Sequence, residues 1–461
     1  MINPQFTSSI ELQQLLFGKA LLLDELLPFA ALLDDHYKNG YISYLPAITD
    51  QKQCNRCGTS KTHHYYSFPC ARCKKICTYC RNCIMMGKSQ SCTRLVIWIG
   101  PPPLFPSNPS PLEWDGQLSP GQQTASDKVV EAIEQNGTCL VWAVCGAGKT
   151  EVLFQGVANA IAAGKRVCIA TPRTDVVLEL APRIRRAFPK VKIAALYGNS
   201  EEKKECAQLV ISTTHQLLRY HHAFDSIIVD EVDAFPYSMD SSLQFAVEKS
   251  RKSTSSLILL TATPSRKLQN AAYTKKLPYV TIPARFHRYP LPIPRFCWTG
   301  IWRKQFQKNI IPAPLLHWYQ EKLQTKTPFL IFFPNIDLMN RYLPLFQNEY
   351  PELQSVYAED PLRKEKVLKL RNEQTLGLLT TTILERGVTI PRLHVAVIGA
   401  EEDIFTESAL VQIAGRVGRS STHPTGDIVF FHYGKTRAMV QAVKQIRTMN
   451  SEAWKRGLID V

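Results

Sequence analysis

Residues 138–156, TCLVWAVCGAGKTEVLFQG, restrict the path of the chain more than any other stretch. An apolar run long enough for one buried strand ends in a glycine-bearing loop, and a helix-forming run follows. Gly146 and Gly148 allow backbone N–H groups to curl inward, and the positive end of the next helix points at the same spot, so the loop is built to cradle phosphate. Lys149 then reaches the β and γ phosphates of a nucleotide and the Thr150 hydroxyl binds Mg²⁺, which makes ATP with Mg²⁺ the expected ligand. Cys145 and Ala147 are expected to offer backbone amides. Ala143 opens the loop where the general pattern has glycine, and alanine is small enough for the loop to accept it.

From residue 118 onward, short apolar runs alternate with helical stretches: TCLVWAV, RVCIATP, LVISTT, SIIVDEVD and SLILLTATP, then FLIFFPNI, LGLLTTT, HVAVIGA and DIVFFHYG. Apolar strands buried on both faces and separated by helices describe parallel sheets in an α/β fold. Residues 281–315 are proline-rich and interrupt the alternation, so two α/β domains are expected, at 118–290 and 312–461, with 291–311 between them. GPPPLFPSNPSPLEWDG, residues 100–116, is a stiff linker; residues 100–117 separate the first domain from a cysteine module at 51–99. Residues 1–50 read as a helical segment with leucines at helical spacing over 10–36. The N-terminal stretch lacks a basic end and an unbroken apolar core, which points away from a signal peptide and towards the cytosol.

A loop that binds phosphate needs a second element to cleave it. IIVDEVD supplies one: Asp230 is placed to hold Mg²⁺ through water and Glu231 to orient and deprotonate the attacking water. In QIAGRVGRS, Arg416 and Arg419 are three residues apart and share a helical face. From the second domain they are placed to contact the γ phosphate, so hydrolysis would depend on closure of the two domains.

These stretches, with LSPGQ (118–122), TPRTD (171–175), ISTTHQLL (211–218), TAT (261–263) and the ILERG segment, resemble the ordered motifs of superfamily 2 DNA helicases and translocases. The resemblance implies two RecA-like lobes and adenine recognition by Gln122. It also implies coupling of hydrolysis to domain motion through Thr261, Thr263 and Gln412, and nucleic acid running past Arg173, Thr213 and Thr381.

Eight cysteines precede the linker: Cys54, Cys57, Cys70, Cys73, Cys77, Cys80, Cys83 and Cys92. In a reducing setting, CxxC pairs read as metal ligands before disulfides. Four thiolates close one tetrahedral Zn²⁺ site, so eight suggest two. An interleaved pairing, Cys54, Cys57, Cys80 and Cys83 against the other four, is preferred to sequential sites; both stay open, as does a histidine ligand from His63 or His64. Residues 51–94 hold nine Lys or Arg and no Asp or Glu, with Tyr65, Tyr66, Phe68 and Tyr79 among them. That combination suits single-stranded DNA, as does the whole-chain balance of 55 basic to 39 acidic residues, net +16.

Primosomal replication-restart helicases also combine QIAGRVGR with eight cysteines, but theirs lie inside the helicase core. An N-terminal cysteine module, a proline linker, then DEVD and QIAGRVGR is similar to the ComFA family of late competence proteins. That resemblance implies an ATP-driven, DNA-stimulated motor that imports transforming DNA. It further implies a competence phosphoribosyltransferase-like partner, a membrane DNA-uptake channel, a place at the inner face of the cytoplasmic membrane, and a possible homo-oligomer. A replication-restart helicase and a nucleotide-switched binding module stay open as alternatives.

Overall fold

The computed structural model describes residues 2–106, 108–385 and 390–460. Its centre is a seven-stranded sheet, in which strand Thr138–Ala143 lies between Tyr279–Ile282 and Arg251–Thr261. Beyond these come Phe224–Val229, Val167–Thr171, Leu209–Thr213 and, at the far edge, Ile193–Leu196. Every pairing is parallel. Val167–Thr171 and Leu209–Thr213 are buried at all five positions, as strands covered by helices on both faces must be.

A second, six-stranded parallel sheet runs Arg295–Trp298, Ile428–His432, His394–Ile398, Phe329–Phe332, Gly377–Thr380 and Gln354–Val356. The two sheets with their helices are the two RecA-like lobes that the sequence resemblance implies. One layer of the second lobe's core is rich in aromatics: Trp302, Phe306, Trp318, Tyr319, Phe329 and Phe346 pack together with neighbouring ring centroids 5.3–6.3 Å apart. Helix Arg437–Lys455 belongs to both lobes, for Ala442 and Ile446 enter the core of the second while Met449 enters that of the first.

Two boundaries differ from those read from the sequence. The segment 291–311 is not a linker: Arg295–Trp298 pairs with Ile428–His432 along its whole length, and Trp302 and Phe306 on helix Trp302–Gln307 are buried in the second core. The proline run masks this because it ends just before the strand. Residues 1–50 are likewise not a separate helical segment. Helix Ile10–Leu16 stops at Phe17, Gly18 takes φ +68°, and Ala20–Leu22 enters a three-stranded antiparallel sheet. Arg94–Trp98 is the central strand of that sheet, between Ala20–Leu22 and Ile42–Pro46. The cysteine hairpin, Tyr65–Pro69 paired with Ile76–Cys80, is therefore an insertion in one N-terminal unit. Gly18 is required by contact as well as by φ, since a Cβ there would stand 2.6 Å from the Ala223 Cβ of the first lobe.

Because Trp302 is fully packed and donates to Glu401 at 2.7 Å, Trp302→Ala should lower the stability of the second lobe by about 3–5 kcal/mol in urea unfolding. A change below about 1 kcal/mol would return the segment to the status of a linker.

Candidate nucleotide site and cysteine module

The loop after Thr138–Ala143 leaves the C-terminal edge of the first sheet and leads into helix Lys149–Val152, carried on by Phe154–Ala162. Gly146 and Gly148 have φ of +82° and +69°, the left-handed region that glycine enters without strain. At Gly148 a Cβ would also stand 2.3 Å from the Gln122 amide nitrogen. Gln122 is the third residue of helix Pro120–Glu134, where its Oε1 accepts from the Ser119 N–H at 2.8 Å and its Nε2 donates to the Ala147 carbonyl at 2.9 Å. The capping box thus aims Gln122 at the phosphate loop, and each end of its amide keeps one further bonding capacity for a ligand. Ala143 takes no part in lining the site: it is the last residue of its strand and fully buried there, so the loop begins after it.

The loop opens on a cleft of about 520 Å³ at the seam of the lobes. Gln122, Gly146, Ala147, Gly148, Lys149, Thr150, Asp230 and Glu231 line it from the first lobe, and Gln412, Arg416 and Arg419 from the second. Thr150 and Asp230 offer the hard oxygen donors that suit Mg²⁺. Trp114 and Phe286 close the outer part. Trp114 also packs edge-on against Phe154 at 5.4 Å; Phe286, which the motifs did not mark, packs edge-on against His287 at 5.4 Å and is 54% exposed.

Asp230 follows the buried strand Phe224–Val229, and its Oδ1 accepts from the Glu231 N–H at 2.8 Å. Glu231 has φ +57°, an uncommon conformation for a non-glycine residue and one that turns the chain sharply at the strand end. Two residues on, Asp233 is a functional residue that the motif reading passed over. It accepts from Thr261 Oγ1 and Thr263 Oγ1 at 2.6 Å each, and across the seam from Ser408 Oγ at 3.0 Å and Gln412 Nε2 at 3.5 Å. The expected coupling residues Thr261, Thr263 and Gln412 therefore meet on one carboxylate. Cys145 also does more than offer its amide, because its thiol donates to Gln412 Oε1 at 3.0 Å.

Arg416 is buried, with Nε donating to the Glu385 carbonyl at 2.8 Å, while Arg419 donates to the Gly415 carbonyl at 3.0 Å. Burial, and after it the neighbouring Arg419 charge, push Arg416 well below the usual guanidinium range. An anion in the cleft would relieve both effects.

Of the residues assigned to nucleic acid, Arg173 forms a fork with Asp175 at 2.8 and 3.1 Å and reaches the Ile383 carbonyl of the second lobe at 3.3 Å; Arg363 of that lobe shares Asp175 at 3.2 Å. Thr213 is buried at its strand end, and the exposed residue of that segment is His215. Thr381 is half-buried just past strand Gly377–Thr380. Of the ILERG segment, residues 386 and 387 lie outside the described residues.

The eight cysteines form two groups, Cys54, Cys57, Cys80 and Cys83, and Cys70, Cys73, Cys77 and Cys92, each with its sulfurs within 4.8 Å of one another. This is the interleaved pairing. Four sulfurs about 2.3 Å from one ion stand roughly 3.8 Å apart. Cys54 to Cys83 and Cys57 to Cys80 are both 3.7 Å, so the first group has the spacing of a zinc site; in the second, Cys70 to Cys92 is 3.8 Å and Cys73 to Cys77 is shorter, at 3.1 Å, and four thiols are again gathered without a histidine. His64 is instead 2.8 Å from the Thr59 hydroxyl. The first group is buried in a core shared with Leu217, Leu218 and Val247 of the first lobe. The second lies at the turn end of the hairpin, beside Tyr66, Phe68 and Tyr79, with Lys88 3.7 Å over the Phe68 ring. Tyr65 turns inward, its hydroxyl donating to the Thr59 carbonyl at 2.6 Å.

Two parallel-sheet lobes meeting at a cleft sized for a nucleotide are the build of ATP-dependent helicases of superfamily 2. Family models agree: residues 115–266 match "Type III restriction enzyme, res subunit" and residues 312–421 match "Helicase conserved C-terminal domain". The fold is shared with Dbp5 of S. cerevisiae bound to RNA and ADP BeF3, at a TM-score of 0.52 and 14% identity over 74% of this chain and 96% of that one. Residues 5–97 match "Competence protein ComFA N-terminal domain". Over 455 residues the chain is 47% identical to competence protein ComFA of Bacillus subtilis (strain 168), covering 97% of this chain and 96% of that one. The ComFA of Streptococcus pneumoniae is 39% identical over 416 residues, 89% and 93% of the two chains. The chain belongs to the ComFA family of competence proteins.

The different burial of the two cysteine groups makes them separable. Metal analysis should find two zinc ions per chain, and replacing either Cys54 and Cys57 or Cys70 and Cys73 by serine should remove one. Loss of the first should destabilise the first lobe by several kcal/mol, on the order of a sizeable part of a structural zinc's binding energy. Loss of the second should leave the melting of that lobe within about 0.5 kcal/mol. Equal effects would contradict the assignment.

Proposed function

We propose that this protein is a DNA-stimulated ATPase that translocates along single-stranded DNA and draws transforming DNA across the cytoplasmic membrane. The observation that carries the reading is the seam cleft, where Lys149, Asp230 and Glu231 of one lobe face Arg416 and Arg419 of the other. Bound Mg²⁺ would neutralise charge on the β and γ phosphates, with Thr150 and Asp230 as its holders. Lys149 and the loop amides bind the phosphates, Glu231 takes the proton of the attacking water, and Arg416 and Arg419 face the charge that builds on the γ phosphate. Since the two halves of this machinery come from different lobes, hydrolysis needs the lobes together and product release lets them part.

Nucleic acid is proposed to cross both lobes near His215 and Thr381 and to meet Tyr66, Phe68, Tyr79 and Lys88 on the cysteine hairpin. The names of the competence relatives support uptake as the setting. No helix among the described residues is long and apolar enough to cross a membrane, so a place at the inner membrane face would come from a channel and from a phosphoribosyltransferase-like partner, with self-association as a further possibility of the family.

ATPase rates with single-stranded DNA, duplex DNA and RNA at one salt concentration test the reading. Single-stranded DNA should stimulate most; equal rates with and without DNA would reject a DNA motor. Glu231→Gln should keep ATP binding within about threefold while hydrolysis falls at least about 10²-fold, and Lys149→Ala should weaken binding itself. Normal turnover by Glu231→Gln would remove that carboxylate from the chemistry.

A further inference from the structure

Strand Tyr279–Ile282 runs parallel to Thr138–Ala143 with Ile282 opposite Ala143. Three residues beyond each, Arg285 comes to lie beside Gly146 of the phosphate loop, its Nε 3.5 Å from where a Cβ on that glycine would be. The side chain is buried. Its Nε donates to the Cys145 carbonyl of the phosphate loop at 3.1 Å. The other two nitrogens cross the seam: Nη2 donates to the Gly415 carbonyl at 3.2 Å, and Nη1 to the Val417 carbonyl at 2.7 Å and to that of Gly418. Gly415 caps helix Glu407–Ala414, so Arg285 takes up carbonyls at and just past a helix end, sharing that of Gly415 with Arg419 Nε and that of Gly418 with His287 Nε2. Arg416 and Arg419 are carried on that same short segment. Among the described residues no carboxylate bonds Arg285; its partners are all backbone carbonyls.

We propose that Arg285 is a positioning residue for ATP hydrolysis, fixing the register in which Arg416 and Arg419 face the phosphate loop. It touches neither the phosphates nor the attacking water. It bonds the loop with one edge of its guanidinium and the arginine-bearing segment with the other. A planar group with five N–H donors in a fixed fork does this, whereas a lysine ammonium on a flexible stem cannot span both sets of carbonyls. When the lobes part, one set is lost and a buried cation is left short of acceptors, which disfavours the parted state until water reaches it. The bond set is therefore complete only in the arrangement that brings the paired arginines to the cleft.

This inference rests on the hydrolysis reading above, and the experiment separates the two. A wild-type chain that hydrolyses no ATP rejects that reading before any variant is made. With an active wild type, Arg285→Ala and Arg285→Lys are compared in the full chain by DNA-stimulated kcat and KM for ATP, with thermal melting alongside. Both variants should keep KM within about threefold while kcat falls about 10- to 100-fold. Millimolar methylguanidinium, which fits the space left by the deleted guanidinium, should restore kcat to Arg285→Ala and have no effect on Arg285→Lys. Wild-type kcat in either variant overturns the proposal. So does a loss in Arg285→Ala that follows the loss of folded protein and is not restored by methylguanidinium. If Arg285→Ala does not fold, Arg285→Lys decides: reduced kcat at unchanged KM supports the proposal, and unchanged kcat overturns it.

Discussion

The carboxylate of Asp233 is the contact on which the arrangement of the two lobes depends. It accepts from two threonine hydroxyls of its own lobe and from Ser408 and Gln412 of the other. Hydrogen bonds to a charged group contribute about 1.5–3 kcal/mol each and polarise one another in a dry setting. Parting the lobes would strip part of this shell from a carboxylate that follows directly on the strand-end pair Asp230 and Glu231. The carboxylate thus links the turn that carries Asp230 and Glu231 to helix Glu407–Ala414, at whose end the two cleft arginines sit.

The same seam is crowded with positive charge. Arg285, Arg416 and Arg419 stand close enough that burial and the Arg419 charge lower Arg285 to about 10 and hold Arg416 well below the usual guanidinium range. Lys149 faces the same cleft. Asp230 and Glu231 line the same cleft, and a polyphosphate bound there would add further negative charge, which the buried guanidinium groups favour. Binding energy and closure are then two descriptions of one electrostatic balance, the property that a motor driven by nucleotide needs.

The N-terminal unit is built onto the first lobe rather than tethered to it. Glu25 takes Arg56 of its own unit and Arg219 of the lobe, Lys249 donates to the Arg56 carbonyl at 2.7 Å, and Asn82 donates to Ser242 at 2.7 Å. Gly58 lies so close to Phe245 that a Cβ there would be 2.5 Å from the ring. The buried cysteine group belongs to this joint, while the other is carried outward on the hairpin. Two four-cysteine groups able to hold zinc thus sit in different mechanical settings.

Spacing along the chain was enough to read the phosphate loop, the strand-end carboxylates, the paired arginines, the parallel sheets and the eight clustered cysteines, while the partition of those cysteines into two groups of four was left open and came from the structure. Each of these is a local pattern whose chemistry needs particular residues at particular intervals. In the two parallel sheets the four strands that went unread, Ile193–Leu196, Tyr279–Ile282, Arg295–Trp298 and Gln354–Val356, are the four edges. An edge strand has one neighbour and is short, so it carries little of the continuous apolar signal that marks a central strand. Asp233, Arg285 and Phe286 escaped for another reason: their roles lie in contacts between distant segments, and no interval along the sequence encodes which carbonyl or hydroxyl a side chain will meet. The sequence by itself determined what chemistry the chain carries. Which groups meet across the seam, and what holds the parts in register, was decided only when parallel pairing and burial brought those segments together.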